Sequence, residues 1–172
     1  MRYLLVDGYN VIHTSESLAA MAADSLDVAR KKLCDMLAEF RVLSRYRIIV
    51  VFDAHLVAGG IGSVQSARGI KIVFTREAET ADHYIERAAY KLAAKKTDKI
   101  TVATSDTLEQ LIIMGSGAAR ISSEALLEEI NTARTKSLSA HQKTRPIKKN
   151  PIEHFLDPKT AQQLEEMRCR KD

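Results

Sequence analysis

Short apolar runs alternate with amphipathic segments along most of the chain. The runs at residues 3–6, 47–52, 70–74, 99–103 and 118–121 predict strands. Most of them carry no polar face, which is typical of strands in a parallel sheet that is covered on both sides. With helical segments between the runs, the pattern predicts an α/β fold, a Rossmann-like three-layer sandwich with a mainly parallel central sheet.

The segments between the strands carry the apolar spacing and the capping residues of helices. Between about residues 25 and 44, apolar side chains recur every three or four positions. Thr80 is a candidate N-cap for a helix that runs to about residue 95, and Ser105 for one that ends at Gly115. A last predicted helix opens at Ser122 or Ser123.

The length of 172 residues suits one compact domain with a modest appendage. We divide the chain into a domain at 1–135 and a basic C-terminal arm with a short terminal helix at 136–172. Hydrophobic residues make up 45% of the chain and charged residues 28%, which is typical of a globular protein. No apolar stretch approaches the roughly 20 residues of a membrane span, and Asp7 interrupts the first apolar run before it could form a secretion signal. We therefore expect a cytoplasmic protein without membrane contact.

Positive charge is concentrated towards the C-terminus. Up to Ile130 the chain has 16 basic and 17 acidic residues, and after it 10 basic and 5 acidic residues. No acid lies between Glu129 and Glu153, and two prolines there predict a loosely structured segment. Such an arm attracts a polyanion through counterion release, so nucleic acid is the expected partner, with a merely solubilising tail as the alternative. The candidate contacts to RNA are Arg134, Lys136, Lys143, Arg145, Lys148 and Lys149.

Four aspartates fall at the carboxyl ends of the predicted strands. Asp7, Asp53 and Asp106 each follow a strand, and Asp82 lies in the first turn of the helix after the strand at 70–74. In an open parallel sheet this edge forms the binding crevice, so we expect the four side chains to converge there. Taken singly, each aspartate also suits a turn or a helix N-terminus.

Carboxylates gathered in one crevice repel one another unless they are protonated or neutralised, and a divalent cation is the usual solution. Oxygen ligands alone favour Mg²⁺ or Mn²⁺ over zinc. Beside a basic arm, such a site predicts hydrolysis of phosphodiester bonds by a metal-activated water. Glu79 is a further candidate ligand if a second ion binds, although a solvated acidic helix face also explains it. Asn10 and Ser105 are candidates for contacting a phosphate or a water, with a turn or a helix cap as the alternative.

Four short motifs, in this order and spacing, resemble the NYN domain of the PIN-like nuclease superfamily. They are DGYNVI at 7–12, VFDA at 51–54, ETADHYIE at 79–86 and TSD at 104–106. The similarity is greatest to the bacterial YacP-like proteins and covers about residues 1–165. No acidic position of the motifs departs from the family pattern.

The resemblance implies a metal-dependent endoribonuclease with Asp7, Asp53, Asp82 and Asp106 at the family's acidic positions. It also implies association with ribosomes and mRNA decay, which a basic arm would suit. The rival expectation is an RNA- or ribosome-binding adaptor that keeps the fold and no longer cleaves. Intact acids argue against it, because a pure binder gains nothing from negative charge that faces phosphate. No small-molecule cofactor is expected, since the glycines at 59–62 lack the ending of a phosphate-binding P-loop.

Overall fold

The computed structural model describes residues 1–53, 62–76, 79–94, 97–105 and 118–139 in full, and the backbone of the last helix to residue 143. Strands and helices alternate through these residues. In chain order they are β1 (Arg2–Asp7), α1 (Gly8–Thr14), α2 (Glu16–Asp24), α3 (Leu26–Ser44), β2 (Arg47–Phe52), β3 (Ser63–Ala67), β4 (Ile70–Phe74), α4 (Ala81–Ala93), β5 (Lys99–Ala103), β6 (Ala119–Ile121) and α5 (Ser123–Lys143).

One six-stranded sheet, in the order β3-β4-β2-β1-β5-β6, forms the centre of the molecule. Only β3 runs antiparallel to its neighbour among the described strands; the other pairs are parallel. The registers Asp7 with Val51 and Val6 with Ala103 bring the carboxyl ends of β1, β2 and β5 level with one another. The predicted α/β sandwich with a mainly parallel sheet is confirmed.

Each face of the sheet packs against helices. On β1, Leu4 and Val6 belong to a core with residues of α1, α3 and α5, whereas Leu5 points to the opposite core with Ile85 of α4. Neighbouring side chains of a strand point to opposite faces, so a run without a polar position has to be covered on both sides. The uninterrupted apolar strands therefore produce the three layers.

The chain turns into helix α1 directly at the end of β1, where the sequence pattern indicates only a turn at Asp7-Gly8. Asp7 is the N-cap of α1, and its carboxylate accepts a hydrogen bond from the Asn10 N–H at 3.1 Å. Below it, the buried Arg30 guanidinium donates to the Tyr9 hydroxyl at 2.6 Å. Both contacts fix the short helix to the sheet and to α3.

Strand β3 is a second element that the hydrophobic pattern does not predict. All five of its residues are exposed, so it carries no apolar alternation. It forms because β4 would otherwise be an open edge, and the tight turn at Arg68-Gly69, with positive φ at both residues, folds the chain back onto it. The result is a hairpin at one border of the sheet.

Helix α5 continues into the segment for which the prolines predict a loose structure, and that prediction is wrong as far as Lys143. The physical reason is local: residues 131–143 contain neither glycine nor proline, and the first helix breaker is Pro146. By its contacts the chain divides into two units, Met1–Ser137 and Leu138–Asp172. The helix predicted from Ser105 to Gly115 lies outside the described residues.

No helix within the described ranges is both long and apolar enough to cross a lipid bilayer.

Candidate functional site

The carboxyl edge of the sheet carries three of the four predicted aspartates. Asp7 ends β1, Asp53 follows β2, and Asp82 lies in the first turn of α4. The negative charges of Asp82 and Asp53 both act on Asp7, so the three side chains face a common region. Asp106, the fourth predicted acid, lies outside the described residues.

The Asp7 carboxyl is strongly perturbed by its surroundings. Its pKa is raised from 3.8 to about 6, mainly by burial and to a lesser extent by the negative charges of Asp82 and Asp53. Hydrogen bonds from the Asn10 and Tyr9 backbone N–H groups oppose this rise, because they stabilise the ionised form. The ionised form of a carboxyl group in these surroundings is strongly stabilised by a positive charge placed beside it.

Asn10 is held by a network that joins three distant segments. Its Oδ1 accepts hydrogen bonds from the Ser105 N–H at 3.2 Å and from the Ser123 hydroxyl at 2.6 Å. A backbone N–H can only donate, so this contact determines which amide atom is the oxygen. No described residue accepts a hydrogen bond from the Nδ2 group of Asn10.

Ser105 contributes its backbone to this network and uses its hydroxyl to support it. The Ser105 Oγ accepts from the Ser123 N–H at 3.3 Å. The predicted hydroxyl beside Asp106 therefore contacts the start of α5, which anchors the end of β5 to that helix. Ser105 and Asn10 lie together at this edge, and their predicted contact with a phosphate or a water stays a prediction.

Ser123 is a site residue that the sequence interpretation treats only as a possible helix cap. The structure separates the two serines: Ser122 accepts from the Ala125 N–H at 3.1 Å and caps α5, whereas Ser123 is fully buried and donates to Asn10. The sequence feature that could have indicated this role is the pair of adjacent serines. One hydroxyl is enough to cap the helix, so the second serine is free for another contact.

Glu79 pairs with a cation of the following helix. It immediately precedes Thr80, the N-cap of α4, so Glu79 lies outside that helix. The Glu79 Oε1 lies 2.5 Å from a guanidinium nitrogen of Arg87. Its role as an additional metal ligand stays a prediction.

The arm residues are only partly described. Arg134 and Lys136 lie on the exposed side of α5, and Lys143 is the last residue of that helix. Arg145, Lys148 and Lys149 lie outside the described residues.

Within the described part of the chain, no three His, Cys, Asp or Glu side chains are close enough together to hold a metal ion. The donor chemistry of the edge is nevertheless that of a hard cation, since the facing groups are carboxylates. This description includes Asp7, Asp53 and Asp82 and leaves out Asp106.

The mixed sheet, its flanking helices and the acids at its carboxyl edge define the class: this is the fold of PIN-like nucleases. Within that superfamily the chain belongs to the YacP-like NYN domain family, whose profile matches residues 4–169. The resemblance inferred from the four motifs is thereby confirmed.

Two relatives from Bacillus subtilis illustrate the similarity. The chain is 45% identical to the protein YacP of strain 168 over 132 residues, which are 77% of this chain and 76% of that one. It also matches the crystal structure of Rae1 (YacP) with a TM-score of 0.74 and 37% identity, covering 99% of this chain and 96% of that chain. A single-site mutant of Rae1 matches with a TM-score of 0.73 and 38% identity, over 86% and 87% of the two chains.

Proposed function

We propose that this protein is a divalent-metal-dependent endoribonuclease that hydrolyses phosphodiester bonds of mRNA in association with the ribosome. The observation that carries the proposal is the half-buried Asp7 carboxyl, with a pKa raised to about 6, facing Asp53 and Asp82 at the carboxyl edge of a nuclease fold. A protein that only binds polyanions gains no affinity from such a group. A cation site gains affinity for its ion from it, because the cation removes the repulsion between the acids.

The residues that would hold the cation are Asp7, Asp53, Asp82 and Asp106. Carboxylate oxygens favour Mg²⁺ or Mn²⁺, so the donor set present fits the metals that the family implies. When bound, the ion would lower the pKa of a water and stabilise charge on the phosphate and on the leaving oxygen. No nucleophilic side chain is then required.

The protein's own polar groups would orient the RNA. The Asn10 side-chain amide is fixed through its Oδ1, and its Nδ2 group would donate to a phosphate oxygen or to the attacking water. The orientation of this amide is fixed by the two hydrogen bonds that its Oδ1 accepts. Residues 1–135 would form the nuclease domain in this proposal.

The basic arm at 136–172 would supply electrostatic attraction to RNA and to the ribosome. Together with Arg134, its candidate contacts add positive charge to a body in which acids slightly exceed bases. Attraction of this kind is independent of RNA sequence and weakens with salt. Selection of a cleavage point would then depend on how translation presents the mRNA.

The decisive experiment offers full-length protein two substrates: a circular RNA, and an mRNA engaged by translating ribosomes. We expect Mn²⁺-dependent internal cuts, lost by roughly 100-fold or more in Asp82→Asn. Asp24→Asn, which removes an exposed carboxylate at the end of α2, is the matched control and should cut like the wild type. RNA binding without cuts on either substrate would identify an adaptor instead.

A second expected outcome separates the two serines at the start of α5. Ser123→Ala removes the 2.6 Å hydrogen bond to Asn10, so we expect kcat to fall on the order of tenfold while KM changes little. Ser122→Ala removes only the helix cap, which costs about 1 kcal/mol of stability without a change in kcat. Thermal unfolding and RNA cleavage of both variants check this. Equal kcat losses in the two variants would exclude a positioning role for Ser123.

A further inference from the structure

A basic cleft lies beside α4. We define it by Arg76, Tyr84, Arg87 and Lys91, whose side chains line a cavity of about 510 Å³. The hairpin residues Gly62 to Val64 and the end of β4 form its other wall. None of these residues is one of the four aspartates or one of the predicted RNA contacts.

Among the described residues that line the cleft, three are cations and one is a carboxylate. The carboxylate is that of Glu79, whose buried Oε1 forms an ion pair with Arg87 at 2.5 Å. The Glu79 side chain is 18% exposed, whereas that of Arg87 is 54% exposed. The carboxylate therefore lies beneath the guanidinium and fixes it from the protein side, while the rest of Arg87 stays open to solvent.

Tyr84 adds an aromatic surface to the cleft. The Arg87 guanidinium carbon lies 5.4 Å from the centre of the Tyr84 ring, and burial raises the pKa of the phenol. The ring is thus held between the sheet and a cation, half-buried and in its neutral form. An aromatic face beside cations is the arrangement on which bases of single-stranded nucleic acids stack.

Helix α4 connects the cleft to the acidic edge. Tyr84, Arg87 and Lys91 are spaced i, i+3 and i+7, so they share one flank of the helix. Asp82 lies on the opposite flank of its first turn, and Ile85 between the two flanks is buried against the sheet. The cleft therefore extends along α4 for roughly 13 Å from the turn that carries Asp82.

Arg76 marks the end of the cleft at the carboxyl edge. It follows Thr75 after β4, and its carbonyl accepts a hydrogen bond from the Glu79 N–H at 2.9 Å. Gly62 packs on its aliphatic stem: a Cβ at Gly62 would lie 2.7 Å from the Arg76 Cγ. The cation is thereby kept at the edge where the aspartates of the neighbouring strands also end.

We infer that the basic cleft binds a single-stranded RNA segment next to the bond that is cut, an inference that rests on the proposed nuclease function. Arg76, Arg87 and Lys91 bind phosphates, and Tyr84 stacks on a base. A strand leaving the acidic edge enters the cleft at Arg76 and follows α4. The protein would thus hold the RNA strand on one side of the bond that is cut, through the cleft.

The test compares salt dependence of binding for a fluorescent, unstructured RNA oligonucleotide. It uses full-length Asp7→Asn protein in EDTA, so that the RNA stays intact. Adding Arg76→Ala and Lys91→Ala should weaken binding roughly tenfold at 0.15 M salt and lower the slope of log K against log salt by about 1.4, as expected for two lost phosphate contacts.

The matched control replaces Lys32 and Lys99, two exposed lysines outside the cleft, by alanine in the same background. It removes the same charge and should leave the slope unchanged. Equal slopes for the cleft variant and the control would overturn the inference. The inference would also be overturned if the cleft variant kept the RNA salt slope but bound a mononucleotide or an acidic peptide more weakly than the control. That result would identify the mononucleotide or the peptide as the occupant of the cleft.

Cleavage by the wild type is measured separately on the same RNA and on translating ribosomes. If the wild type cuts RNA and the cleft variant keeps the salt slope of the unmodified cleft, the cleft inference fails and the nuclease proposal stands. If the wild type never cuts while the cleft variant loses the expected slope, the nuclease proposal fails and the RNA-binding cleft stands.

Discussion

Asp7→Asn should abolish RNA cleavage and at the same time make the metal-free protein more stable at neutral pH. The folded state holds the Asp7 proton more tightly than the unfolded chain does, since the pKa rises from 3.8 to about 6. Wild-type stability therefore decreases as pH rises through this window, and the neutral amide removes that loss. We expect a gain of about 1–2 kcal/mol above pH 7, reduced from the full shift because Asp7 retains solvent contact.

Thermal unfolding in EDTA at two pH values checks this prediction. Near pH 3.5 the carboxyl is mostly protonated in both states, so wild type and Asp7→Asn should unfold at similar temperatures. Near pH 7.5 the variant should unfold several degrees higher. Addition of Mn²⁺ should raise the unfolding temperature of the wild type and leave that of the variant unchanged. A stability gain of equal size at both pH values would contradict the role given to the buried carboxyl.

Gly8→Ala should be the most damaging conservative substitution next to the site. A Cβ at this position would lie 2.2 Å from the Phe52 Cε1, a contact that real side chains do not tolerate. Phe52 is fully buried and packs against Tyr9 and Phe74, with ring centres 5.3 and 5.6 Å away, so it has little room to move. We expect a loss of about 1–3 kcal/mol, with reduced cleavage because Asp7 is displaced.

A double mutant tests the cause of this loss. Phe52→Leu alone leaves a cavity and should destabilise the protein, but in the Gly8→Ala background it removes the clash. The double variant should therefore be more stable than the sum of the single losses predicts. Denaturant unfolding of the three variants provides the comparison. Additive losses would show that the two residues do not compete for the same space.

The central strands could be predicted from sequence because their apolar composition is compatible only with burial inside the protein. The runs at 47–52, 70–74 and 99–103 match β2, β4 and β5 at both ends. Each is buried on both faces, so burial alone specifies the element. Residues 8–14 show the opposite case: helix α1 depends on the Asp7 cap and on contacts below Tyr9 that are distant in sequence.

The acids at the sheet edge could also be predicted, since parallel strands bring their carboxyl ends together whatever the loops do. The partners of these acids could not. Thr80 is predicted correctly as the N-cap of α4, but the contact of Glu79 with Arg87 is not specified by that cap. The support that Ser123 gives to Asn10 depends on where α5 begins to within one residue, and the capping preferences of two adjacent serines do not resolve that.

The hydrogen bonds on the Asn10 amide come from residues 95 and 113 positions further along the chain. During translation the N-terminal part of a protein emerges first, so the acids of β1 and β2 exist before Ser105 and Ser123 have been made. The Asn10 amide is therefore set in place only after α5 has begun to emerge. An unfinished copy of this protein carries the carboxylates of Asp7 and Asp53 without the two contacts that orient this amide.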